Sequence, residues 1–89
     1  MNSHTTWRFR ETLLQLPEEV RQNAREACKL WRQDPRHPSL HFKRIHTTKP
    51  IYSVRVALGW RAVGVFRGDD MVWYWIGSHA DYEKLISHL

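Results

Sequence analysis

The stretch that decides the fold runs Ile51-Tyr52-Ser53-Val54-Arg55-Val56-Ala57-Leu58-Gly59-Trp60-Arg61-Ala62-Val63-Gly64-Val65-Phe66-Arg67. Tyr52, Val54 and Val56 alternate with Ser53 and Arg55, the period of two expected of a strand with one face in a core. Leu58-Gly59 marks a tight turn, and Trp60 to Arg67 reads as the returning strand. Gly68-Asp69-Asp70 is a second turn. It leads into Met71-Val72-Trp73-Tyr74-Trp75-Ile76, an apolar run that suits a strand covered on both faces. By simple alternation Trp73 and Trp75 share a face, either in the core or in a groove for a partner helix. Upstream, Leu40 to Ile45 reads as a short strand with Leu40 and Phe42 on one side, and Thr47 to Pro50 as a loop.

Asp34-Pro35-Arg36-His37-Pro38 separates this half from a helical one. Phe9, Leu13 and Leu16 fall at i, i+4 and i+7 on one helical face, with Thr5 or Thr6 as its cap. Leu16-Pro17 breaks the pattern. Glu18 and Glu19 then suit the start of a second helix with Pro17 in its first turn, and Val20, Ala24, Ala27, Cys28 and Trp31 form its apolar stripe. Cys28 is expected as a buried thiol. Asp81 to Leu89 reads as a short terminal helix. The expected fold is α+β in a single domain spanning residues 1–89: an N-terminal helical hairpin on one face of a four-stranded, mainly antiparallel sheet, then a short C-terminal helix.

The chain has 89 residues, enough for one core but not two. Lys and Arg number 14 against 9 Asp and Glu, a net charge of +5 that favours an anionic partner. One cysteine excludes an internal disulfide. The first ten residues hold no signal-peptide core, and the longest apolar run is far short of a membrane span, so no membrane association and a cytoplasmic location are expected. The six histidines match no zinc-ligand spacing, and no metal or cofactor is expected.

Four pieces, in order, resemble the RelE superfamily of bacterial type II toxins: Asp34-Pro35-Arg36-His37-Pro38-Ser39-Leu40, Tyr52-Ser53-Val54-Arg55-Val56, Trp60-Arg61-Ala62-Val63, and Trp75-Ile76-Gly77-Ser78-His79 followed by Tyr82. The resemblance covers nearly the whole chain and implies a RelE-like fold. It further implies a metal-independent endoribonuclease that cuts mRNA on the ribosome, by attack of a ribose 2′-hydroxyl on the adjacent phosphate. That chemistry needs a base, an acid for the leaving oxygen, and positive charge around the phosphorus.

Carried over residue by residue, the resemblance makes Arg61 the phosphate clamp, Arg55 a phosphate binder or acid, His79 an acid or base, and Tyr82 an aromatic that stacks on a base or orients substrate. Where the best-known members have a second basic residue this chain has Ser53, a departure from a direct copy of their site. Whether Arg55 and Arg61 share a face depends on the turn. A three-residue loop would put them together, and a two-residue loop would separate them. His41, Lys43 and Arg44 make the first strand basic and Lys49 extends that charge into the loop, as contacts for RNA phosphates or as a solvated edge. Arg21, Arg25, Lys29 and Arg32 form a ridge on the second helix that faces either ribosomal RNA or water.

The partners implied are a cognate antitoxin, covering the site with an amphipathic segment and acidic groups, and the ribosome with its mRNA. Two alternatives come with the same superfamily: a ParE-like toxin that poisons DNA gyrase without cutting RNA, and a non-catalytic member that only binds its antitoxin.

Overall fold

A computed structural model describes residues 2–89. Its elements are β1 (Asn2–Thr5), α1 (Trp7–Leu14), α2 (Glu18–Gln33), a 3₁₀ turn (Pro38–Leu40), β2 (Lys43–Arg44), β3 (Ile51–Ala57), β4 (Trp60–Arg67), β5 (Asp70–Ser78) and α3 (His79–Ile86). Thr6 caps α1, its hydroxyl accepting from the Phe9 amide at 3.1 Å. Pro17 sits one residue ahead of α2 rather than inside it, and the acidic first turn of Glu18 and Glu19 suits the positive end of the helix dipole.

The sheet has five strands in the order β1-β5-β4-β3-β2, not four. The extra strand is the N-terminus, which pairs parallel to β5 from Asn2 opposite Asp70 to Thr5 opposite Trp73. Four polar residues that pair across nearly 70 positions leave no local hydrophobic pattern to read. Ser3 anchors the strand by accepting from the Trp73 indole N–H at 3.0 Å. Cys28 lies 3.9 Å from the same hydroxyl and is half-buried rather than fully buried.

The segment 40–45 also departs from expectation. Only Lys43 and Arg44 pair with β3, because Pro38 to Leu40 form a 3₁₀ turn and His41 follows it in the left-handed region at φ 45°. Leu40 is buried by this turn instead of by a strand.

The sheet is covered on both faces. On one, Phe9, Ala24, Ala27 and Trp31 of the helical hairpin pack on Val54, Val56, Ala62, Met71, Trp73 and Ile76. On the other, Tyr82, Leu85 and Ile86 of α3 pack on Ile51, Val63, Val65 and Trp75. The terminal helix therefore lies on the face opposite the hairpin.

Trp73 and Trp75 belong to different faces. Val63 pairs with Trp75 and Gly64 with Trp73, so Tyr74 is an extra residue in β5, a bulge that turns the strand over. Gly64 permits the packing of Trp73: a Cβ there would stand 2.7 Å from both Trp73 Cε3 and Met71 Sδ.

Candidate active site on the α3 face

The β3–β4 hairpin has the two-residue loop Leu58–Gly59, with Ala57 opposite Trp60. Counted straight back, that loop would send Arg55 and Arg61 to opposite faces. A bulge between Arg55 and Ala57 adds one residue, and Arg55 stands directly opposite Arg61. Both side chains therefore leave the α3 face of the sheet, across a pair that places like charges side by side at a cost.

The two arginines differ in environment. Arg61 is only 8% exposed. Its guanidinium lies over the Tyr82 ring at 5.2 Å and donates to the His41 carbonyl at 3.3 Å. Arg55 is half-buried, and its Nη1 donates to His41 Nε2 at 3.5 Å. Among the described residues the ion pairs are His4–Asp70 and His79–Glu83, and neither arginine takes part in one. A buried guanidinium with no carboxylate beside it is costly unless a counter-anion arrives.

His79 opens α3. Ser78 caps the helix by accepting from the Asp81 amide at 3.2 Å, and the His79 amide donates to the Gly59 carbonyl at 2.8 Å. This last bond ties the start of α3 to the hairpin turn and fixes His79 beside it. The ring meets Glu83 one turn on, Nε2 to Oε1 3.0 Å, and tilts against Tyr82 at 5.7 Å. Gly77 stands opposite Arg61. It lies within β5, and the Trp75 indole crosses it so closely that a Cβ would meet the ring at 2.7 Å.

His41, Arg55, Arg61 and His79 line one pocket of about 220 Å³ together with the turn Leu58 to Trp60. The expected catalytic residues Arg55, Arg61 and His79 are thus brought together. Tyr82 is not on the pocket wall. It is 2% exposed and donates its hydroxyl to buried Ser53 at 3.0 Å, beneath Arg61 and beside His79. Such a ring cannot stack on a base without leaving its place. It orients the two groups that rest on it.

Ser53, the departure from the family pattern, is fully buried as the acceptor of that bond, so no charge emerges from its position. His41, expected as part of a basic strand, instead lies in the pocket. The sequence signal for it was weak: a histidine directly after a Pro-initiated turn, a residue type enriched at positive φ. Lys43 pairs with Ser53 and so points to the same side as Arg55. Arg44 pairs with Tyr52 on the other side, and its Nε donates to the carbonyls of His46 and Lys49 at 3.0 and 3.3 Å. Arg44 thus orders the loop before β3, on which the Lys49 side chain is exposed. A second groove of about 600 Å³ shares His41 with the pocket and is lined by Arg36, Lys43, Arg44 and the stacked pair Phe42–Tyr52, ring centroids 5.0 Å apart. The basic ridge of α2 belongs to the hairpin side of the sheet, and none of its residues lines the pocket.

Among the described residues no group of three or more His, Cys, Asp or Glu could hold a metal ion, and no helix is long and apolar enough to cross a membrane.

The ParE-like toxin domain family matches residues 18–84. The chain belongs to the RelE/ParE superfamily of toxins. Solved structures of the superfamily share its fold at low identity. A chain of the RelB–RelE antitoxin–toxin complex from Methanococcus jannaschii superposes with a TM-score of 0.74 at 13% identity, over 92% of this chain and 96% of that one. YafQ from E. coli gives 0.71 at 9% identity over 91% and 96%. The isolated E. coli RelE toxin gives 0.66 at 15% identity over 99% and 98%. No curated protein sequence matches. This ParE-like toxin domain shares its overall fold with them.

Proposed function

We propose that this toxin domain is a metal-independent endoribonuclease that cleaves mRNA on the ribosome. The observation that carries the reading is the Arg55–Arg61 pair, opposed across a bulged hairpin, free of carboxylates and walled by His79. Two guanidinium groups held in register suit a phosphodiester whose charge grows in the transition state. His79 supplies acid or base chemistry near neutral pH. Tyr82 holds Arg61 and His79 in place through its ring and its bond to Ser53. Lys43, Arg44, Lys49 and His41 contact the phosphates of the RNA that leaves the pocket, along the groove beside the Phe42–Tyr52 stack. No cofactor takes part. The partner in the cell is a cognate antitoxin with acidic groups for this surface, as the RelB–RelE complex from M. jannaschii suggests by its composition.

Primer extension on mRNA in a translation reaction tests the reading. Wild type should leave discrete breaks, and Arg61→Ala or His79→Ala should weaken them by about 10²-fold or more. Intact mRNA with folded wild type would refute it. The ParE-like description of the family keeps gyrase poisoning as the second reading. Inhibition of gyrase supercoiling, with mRNA left whole, would establish that one instead.

A further inference from the structure

We propose that His41 is the second acid–base residue of the pocket, acting as base opposite His79 as acid; the proposal rests on the nuclease reading. The strand order sets the geometry. His79 directly follows β5, Arg61 and Arg55 stand opposite each other on β4 and β3, and His41 lies two residues ahead of β2, so in the order of the sheet the two imidazoles come at either end of the arginine pair in one pocket. A phosphate held by the arginines has its attacking and leaving oxygens on opposite sides, each toward one ring.

The backbone at His41 is built for this position. It has φ 45° and ψ 44°, and it is the sole non-glycine residue at positive φ among the described residues. Such a conformation is uncommon outside glycine and is enriched at functional sites. Here it turns the His41 carbonyl onto Arg61 and the ring onto Arg55. The ring is exposed to the pocket, unlike Tyr82.

Hydrogen-bond chemistry assigns the roles. A guanidinium only donates, so His41 Nε2 presents a lone pair toward Arg55. That contact, at 3.5 Å, is long and is given up when Arg55 turns to a phosphate oxygen. An ionised carboxylate only accepts, so His79 Nε2 carries a hydrogen toward Glu83 and leaves Nδ1 for the substrate. The carboxylate orients the ring. The charged or titratable groups against the rings are thus Arg55 and Arg61 at His41, with Arg36, His37, Lys43 and Arg44 lining the groove it shares, and Glu83 and Tyr82 at His79.

In the step, His41 Nε2 takes the proton of the ribose 2′-hydroxyl, and the 2′-oxygen forms its bond to phosphorus. The bond from phosphorus to the 5′-oxygen breaks, its electron pair stays on that oxygen, and Nδ1 of protonated His79 gives it a proton. The products are a 2′,3′-cyclic phosphate and a 5′-hydroxyl end. His41 finishes protonated and His79 neutral, and exchange with water restores both.

Single-turnover cleavage of mRNA on pre-assembled ribosome complexes, from pH 5.5 to 8.5, tests the proposal with wild type, His41→Asn and His79→Asn. Asparagine tolerates the left-handed backbone, so His41→Asn keeps the turn. Wild type should give a bell-shaped profile. His41→Asn should slow cleavage by about 10²–10⁴-fold and abolish the acid limb, and His79→Asn should do the same to the alkaline limb. His41→Asn within threefold of an active wild type, or with both limbs intact, overturns the role of His41 and leaves the nuclease reading standing. A wild type that leaves mRNA whole overturns both. As a readout apart from cleavage, inorganic phosphate should shift the imidazole NMR signals of both His41 and His79 in wild type, and a shift at His79 alone counts against the proposal.

Discussion

The two faces of this sheet are built to different ends. On the hairpin face, Trp31 is buried at the centre of an aromatic cluster, edge-on to Trp73 at 5.4 Å and to Phe42 at 5.7 Å. The core cluster there is wholly apolar. On the α3 face the apolar cluster is small, and beside it stand two opposed arginines without carboxylates. A domain of this size has little stability to spare. Most of its aromatic area lies on the hairpin face, and the opposed arginines lie on the other.

Substitutions on the two faces should therefore fail in different ways. The largest loss of stability is expected from Trp31→Ala, about 3–5 kcal/mol, since a large ring leaves a cavity in a tight cluster. Urea unfolding checks it. A loss below 1 kcal/mol would mean that the hairpin face is not the stabilising one. Gly64→Ala comes next on the same face, at about 1–3 kcal/mol, because the added methyl overlaps Trp73 and Met71. The drop should be accompanied by a changed near-UV signal from Trp73.

A smaller stability loss is expected on the α3 face from Tyr82→Phe, about 1–2 kcal/mol, as the buried Ser53 hydroxyl loses its partner. Cleavage should fall with it by a few-fold, because the ring stays under Arg61 and His79 but is less firmly held. Unchanged stability would show that the Tyr82–Ser53 bond does not anchor α3.

The contrast between the faces was only partly legible in the sequence. The apolar stripe from Val20 to Trp31 and the alternation from Tyr52 to Val56 follow from helical and strand periods, and both elements formed where those periods place them. Periodicity assumes an uninterrupted strand, and it failed where strands bulge. The extra residue at Tyr74 separated Trp73 from Trp75, and the one near Val56 reversed what a two-residue loop implies for Arg55 and Arg61. β1 was missed because its partner is at the far end of the chain. His41 was placed on a strand because a single left-handed residue leaves no pattern. Within the site, the residue types named from the sequence were brought together, while their relation to one another came from bulges and a turn.

The smallest expected stability effect bears most directly on the central claim. Arg61→Met replaces a buried, unpaired guanidinium with an apolar side chain of similar length, a change that is often neutral or stabilising. Its urea midpoint and its cleavage of ribosome-bound mRNA should be measured on the same preparation. The account expects a midpoint equal to or above wild type, with cleavage slower by about 10²-fold or more. A midpoint well below wild type, or cleavage at the wild-type rate, would contradict a site built from cations that the fold itself does not need.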